Sequence, residues 1–454
     1  MKRNASRRHA GGTGASAVRK LCAAIVAGAL AGCLSVPVAA FADEATVGRA
    51  DGPIQLITEN PSFGMAAPTV PEGAAFEAGS NASGVQALGI EDDTVAIGVG
   101  GVYHQTSARQ MLGLVNSARA SRGASPLVWD ENLEYLAMVR AAEISVSFSH
   151  TRPNGLTCFS IADEYDVSVG WSMGENILMG ASTPELANQL WTNSPGHYSN
   201  MVNTSFSSVG VAAFECGGSW YWVEFFGATR GTSVGDALDG PATTVFDVLP
   251  QYLGAVFSDF NAGDWYMTNS NNRRDLVYTL NNGIMSGYAD RPLFGFYDNI
   301  TRADVAVILY RMAGEPQADA PDFEDVDYGW YYGRAIEWAR STGVITGYRD
   351  ADGAYRRFGP NDPVTREQLV VMLANFAEKI AGQDVGRSEA AASGISGWAQ
   401  VSSWAREGMA WAVDEGILGG VSTSHGPELQ PQGNATRAQV AIMAARLHRD
   451  VLGW

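Results

Sequence analysis

At 454 residues the chain is too long for one compact core, and its 46% hydrophobic content, with 12 Trp, 16 Tyr and 17 Phe, excludes a mainly disordered protein. The formal net charge of -18 excludes nucleic acid and anionic membrane as general partners, so any anionic ligand must be held by local arginines or helix ends. The first predicted element is an export signal over residues 1–42, with six cationic residues from Lys2 to Lys20 ahead of an apolar run that closes on Ala40-Phe41-Ala42. A competing lipoprotein box, Leu30-Ala31-Gly32-Cys33, would leave Cys33 acylated instead. Removal of residues 1–42 takes the formal charge from -18 to -24.

Residues 43–104 are rich in Gly, Ala, Pro, Ser and Thr and read as a flexible spacer. From Gln105 the pattern changes. Met111, Leu114, Val115 and Ala118 recur at helical spacing, and Leu133, Leu136, Ala137, Ala141 and Ile144 do so again. A third helix is predicted from Ser182-Thr183-Pro184-Glu185 to about Trp191, opened by a hydroxyl cap and a first-turn proline. Val209–Phe214 and Trp220–Phe226 are β-rich runs around Cys216-Gly217-Gly218, a hairpin signal. Cys158 and Cys216 are the only cysteines beyond the signal. In an exported domain they are expected to form a disulfide, the alternative being two separate buried thiols.

After a Gly, Asp and Thr-rich linker over 229–250, the chain repeats itself. Gly283-Ile284-Met285-Ser286-Gly287-Tyr288 and Thr301-Arg302 return as Gly343 to Tyr348 and Thr365-Arg366, and again as Gly416 to Gly420 and Thr436-Arg437. Each threonine suits a helix cap, and Gln368 and Gln439 complete capping boxes. Capping does not explain an arginine right after the cap in all three copies. There the free N–H groups of a helix start favour an anion, and a guanidinium adds a planar two-pronged grip.

Residues 105–228 resemble the CAP superfamily (cysteine-rich secretory, antigen 5 and pathogenesis-related proteins), in its shorter bacterial branch. The resemblance rests on Val115 to Arg119, Leu127 to Leu133, Phe148-Ser149-His150, Gly174 to Ile177, Trp191 to His197 and Val209-Gly210-Val211. It implies an α-β-α sandwich whose cleft is lined by His150, Glu175 and His197. Two imidazoles and a carboxylate could bind a divalent metal such as zinc, move protons, or form a structural cluster. A further glutamate found in larger members is replaced here by Ser194. Residues 257–447 resemble S-layer-homology domains through Phe257 and Phe323, the aromatics Trp265, Trp330 and Trp398, the Gly-x-x-x-Gly-Tyr turn and the Thr-Arg start. That resemblance implies a mainly α, pseudo-threefold bundle of three repeats that binds a secondary cell-wall polysaccharide through Arg302, Arg366 and Arg437 and the aromatics Trp265, Trp330 and Trp398. The third copy has Gly420-Val421 in place of Gly-Tyr, so Arg437 is expected to matter least.

The expected organisation is therefore multidomain: signal 1–42, spacer 43–104, α+β CAP domain 105–228, linker 229–250, and repeats 251–315, 318–380 and 390–454. The expected protein is secreted and attached to the cell wall, displaying a CAP module for a lipid, a glycan or a host protein. The competing reading is a peptidase-like hydrolase using His150, Glu175 and His197, although no Gly-x-Ser-x-Gly elbow or His-Glu-x-x-His helix accompanies them.

Overall fold

The structure, a computed structural model, describes residues 54–56, 94–318, 323–390 and 392–454. The expected export signal, Cys33 and most of the spacer lie outside the described residues. No described helix is long and apolar enough to cross a membrane. The described residues fall into two compact units, one built on Gly100–Thr244 and the other on Val245–Trp454 with residues 54–56 and 94–99.

A short strand, β1 (Ile54–Leu56), pairs with the start of β2 (Val95–His104). Both lie in the stretch read from composition as spacer. The reading missed β2 because its Gly100-Gly101 pair resembles linker sequence. Here Gly101 is required by packing, since a Cβ at that position would come within 2.2 Å of the Phe214 ring.

Helix α1 (Gln105–Ser121) follows β2 directly and buries Met111 and Val115. After β3 (Val128–Trp129), Asp130 caps α2 (Glu131–Val146) by accepting from the backbone N–H groups of Asn132 and Leu133. Then come α3 (Ser160–Glu164), β4 (Gly174–Met179), α4 (Pro184–Thr192), α5 (Pro195–Met201), β5 (Ser208–Cys216), β6 (Ser219–Gly227) and β7 (Asp239–Val248). The β5–β6 hairpin is antiparallel and forms the centre of a sheet in which β2 flanks β5 and β4 flanks β6. Short β3 runs parallel to β5. Val209, Val211, Ala213, Trp222 and Phe226 turn to one face and pack with Met111, Val115, Ala187 and Trp191 from α1 and α4. Helix α2 covers the other face, so tightly that a Cβ on Gly210 would lie 1.9 Å from the Glu134 amide nitrogen.

Glu224 sits on the α1/α4 face of β6, in register with Val211 and Asn176 and fully buried. Asn176 Nδ2 donates to its Oε2 at 2.8 Å, while Oε1 has no partner. Burial pushes this carboxyl up to about 8, against the opposing Asn176 bond.

The second unit opens with a tight turn at Pro250–Ala255 and continues through α6 (Trp265–Thr268), α7 (Ser270–Asn281), α8 (Arg302–Met312), α9 (Gly333–Thr342), α10 (Arg366–Lys379) and α11 (Arg406–Asp414). A two-stranded ribbon, β8 (Val421–Thr423) and β9 (Gly426–Glu428), precedes α12 (Arg437–Ala445). Thr301, Thr365 and Thr436 cap α8, α10 and α12, the last two with complete capping boxes. The residues just before those caps form a closed circuit of backbone bonds. Ile300 N donates to Ala435 O (3.0 Å), Ala435 N to Val364 O (2.8 Å), and Val364 N back to Ile300 O (3.1 Å).

Two outcomes follow. Gly210→Ala drives a methyl into the backbone of α2 and should lower stability by about 3 kcal/mol or more, read by urea unfolding. Glu224 binds a proton in the folded state that the unfolded chain releases above its ordinary pKa. Stability should therefore fall as pH rises from about 4.5 to about 8, by up to ~1.4 kcal/mol per pH unit. Glu224→Gln should flatten that slope in melting curves taken at pH 5 to 8, and an unchanged slope would place the titration elsewhere.

Candidate functional site: a buried charge chain under His150 and three arginines at helix starts

The apolar face of α2 carries two charged residues three positions apart, Arg140 and Glu143, and both are closed off from water. Burial of this kind requires partners. Arg140 Nε donates to Glu175 Oε2 at 2.7 Å, Nη1 to Glu143 Oε2 at 2.5 Å, and Nη2 to the Ser149 carbonyl at 2.8 Å. Arg152 continues the chain, donating to Glu143 at 2.7 Å and to Glu164 at 2.6 Å. The signs alternate along Glu175, Arg140, Glu143, Arg152 and Glu164.

His150 closes the outer end. Its Nδ1 lies 2.7 Å from Glu175 Oε1 while most of the ring faces solvent. Burial alone would raise Glu175, but the Arg140 guanidinium and the His150 bond outweigh it and hold the carboxyl down at about 2. Glu175 is thus a fixed anion that orients an accessible imidazole. Its neighbour on β4, Asn176, points to the opposite face and donates to the carbonyl of His197 on α5 at 3.1 Å. Burial, with the nearby His150, keeps the His197 imidazole below its ordinary range.

Cys158 joins this cluster, its Sγ lying with donor atoms of His150 and Glu175 inside a 4.8 Å group that does not include His197. Burial, then the Glu175 charge, raises the thiol well above its usual range. The expected Cys158–Cys216 disulfide is not formed, and both cysteines are free and buried. The reason is register. Glu175 pairs with Phe225 and Phe225 with Gly210, whereas Cys216 lies six residues farther along β5, roughly 20 Å at the rise of a strand.

Nitrogen, sulfur and oxygen donors this close suit zinc in kind. The carboxylate does not. Both Glu175 oxygens are engaged, and a buried guanidinium 2.7 Å away opposes a dication at the same group. As arranged, the cluster does not fit a resident metal.

In the second unit, Arg302, Arg366 and Arg437 are each the first residue of their helix, and each is nearly buried. Arg302 Nε donates to Phe358 O (2.7 Å), Arg366 Nε to Leu429 O (2.9 Å) and Arg437 Nε to Phe294 O (2.8 Å). Each thus reaches the loop of the next segment in the circuit, and the last returns to the first. Of the expected aromatics, Trp265 and Trp330 are exposed, but Trp398 is packed away at 8% exposure with Arg406 over its ring. Trp404 is exposed instead, two residues before α11, as Tyr331 is before α9.

Sequence reasoning missed Arg140, Glu143, Arg152 and Trp404. The first two were visible as charges interrupting an apolar helical stripe. Trp404 was hidden by aligning the third copy on the wrong tryptophan.

Residues 112–226 match the Cysteine-rich secretory protein family (CAP), and residues 322–370 and 398–441 match the S-layer homology domain. The stretch around α6 to α8 lies outside the matched residues. Among curated proteins, the chain is similar to uncharacterized protein YkwD of Bacillus subtilis, 32% identical over 114 residues, or 25% of this chain and 44% of that protein. It is also similar to cell surface glycoprotein 1 of Acetivibrio thermocellus, 28% identical over 176 residues, covering 37% of this chain and 7% of the other. The chain thus spans less than half of either relative. A solved extracellular protein containing an SCP domain from Bacillus anthracis aligns at 25% identity over 27% of this chain and 41% of that one, with a TM-score of 0.25. The chain carries a CAP domain and S-layer homology sequence, and it is a secreted protein of the cell wall and cell surface.

Proposed function

We propose that the segments around α6–α8, α9–α10 and α11–α12 are three S-layer-homology repeats closed into a pseudo-threefold bundle, and that this bundle anchors the protein by binding an acidic wall polysaccharide in the clefts at Arg302, Arg366 and Arg437. The carrying observation is the circuit in which each arginine binds the next segment's loop carbonyl through Nε, which draws a guanidinium to each seam between segments. Exposed Trp330 and Tyr331 supply flat faces on which sugar rings stack.

The CAP module is then the displayed part, and we read it as a binding module for a lipid, glycan or host protein with His150 as its accessible polar group. Hydrolysis is disfavoured by the same geometry. Cys158 is held protonated beside an anionic carboxylate, and Glu175 is committed to Arg140 and so positions His150 without being free to act as a base.

Residues 250–454 should pellet with purified walls of the producing bacterium while residues 43–249 stay in solution. Pelleting of the second fragment alone would move the anchor to the CAP half. Glu175→Gln should remove about 3 kcal/mol of stability, because it strips a charge from buried Arg140. His150→Ala should leave the melting temperature within a few degrees of the parent, since the ring is mostly exposed. Comparable losses in both variants would make the imidazole structural.

A further inference from the structure

Asn176 links a buried acid to the helix that carries His197. Its Nδ2 has two hydrogens to give, and it donates to Glu224 Oε2 at 2.8 Å and to the His197 carbonyl at 3.1 Å. Its Oδ1 accepts from Asn200 Nδ2 at 2.9 Å, and that same nitrogen reaches the Glu175 carbonyl at 3.3 Å. Together these bonds hang α5 from β4. Ser194 gives α5 no side-chain cap, and of its seven residues only Met201 is buried. The far end is held separately, by Arg119 of α1, which donates to the carbonyls of Met201 at 2.9 Å and Asn203 at 2.8 Å. Tyr198 meets Arg122 only at the surface.

Glu224 itself is poorly satisfied, being fully buried with Oε1 unpartnered among the described residues. The elements around it bring no counter-charge. Val211 lies opposite on β5, α1 and α4 turn Met111, Val115, Ala187 and Trp191 to this face, β4 brings Asn176, and α5 brings His197. Arg119 is engaged by carbonyls. An ionised carboxylate does not persist in such surroundings without water. Of the helices on this face α5 buries least, so lifting its first turns is the least costly way to wet the carboxyl.

We propose that Glu224 is a positioning residue for His197, acting through Asn176: while it carries its proton, α5 stays hung from β4, and when the proton leaves, the first turns of α5 lift about the Arg119 pin and carry His197 away from His150. This rests on the CAP half being a binding module and adds a proton-controlled state of that same site. The sign follows from linkage. Burial raises the Glu224 carboxyl from its ordinary 4.5 to about 8, so the lifted form holds fewer protons, and release grows about tenfold per pH unit between those values and levels off above them. His197 would act in the opposite direction. Burial, with the nearby His150, keeps its imidazole below the ordinary range, so its own protonation favours release at acid pH.

Amide hydrogen exchange of the full mature chain at about pH 5.5, 6.5 and 7.5, corrected for the intrinsic rate at each pH, tests this without a ligand. In the parent the amides of Tyr198 to Asn200 should lose protection about tenfold per pH unit, about a hundredfold across the range, while staying less protected than those of α2. The second condition marks local release rather than unfolding. Glu224→Gln keeps the shape and the Asn176 bond but cannot ionise, and it should abolish the loss. Asn200→Ala should lower protection at every pH and keep the slope. No slope in the parent, protection equal to that of α2 at every pH, or an unchanged slope in Glu224→Gln would each overturn the assignment. The parent chain decides the first two even where a variant does not fold. None of these results bears on the binding role of His150, which the His150→Ala comparison decides.

Discussion

A guanidinium cannot be left inside a protein without anions around it, and Arg140, closed off from water in the middle of α2, sets the terms for everything near it. It fixes Glu175 as an anion on β4, draws Glu143 and through it Arg152 into one alternating chain, and takes the Ser149 carbonyl that holds the loop carrying His150. The imidazole is thus placed by a charge on the second residue of β4 and by the sixteen-residue α2 behind it. Cys158 is a poor nucleophile chiefly because it is buried, with the Glu175 charge beside it, and the guanidinium explains why the donor group does not favour a dication. The positive partner is already present.

The second unit solves a related problem differently. Its three buried arginines have no alternating chain of acids. Each is held by a carbonyl of the neighbouring loop, Arg437 by two, and Arg302 and Arg437 also lie over aromatic faces.

Much of this was legible in the sequence because it depends on local chemistry. The caps at Thr183, Thr301, Thr365 and Thr436 and the β5–β6 hairpin announce themselves through residues within a few positions of one another. What was hidden depends on packing between distant segments. Gly100-Gly101 looked like linker until Phe214 was seen lying against it. Cys158 and Cys216 looked like a pair because composition says nothing of strand register. Trp398 was read as a ligand aromatic, yet it is buried. The changed loop of the third copy was legible as Gly420-Val421, but which arginine it faces was not, since that follows from the direction in which the segments close on one another.

That closure also governs how the second unit must form. Arg437 binds Phe294 across 143 positions of sequence, and Ile300 takes its bond from Ala435. In an open array of repeats each unit touches only its neighbours, so order spreads from any point and frays from the ends. Here the first and last segments are joined by hydrogen bonds across a long stretch of sequence. Folding must wait for the last helix to be synthesised, which makes it slow. Once complete, a unit closed in this way should open as one cooperative piece, a useful property for a protein at a cell surface exposed to proteases.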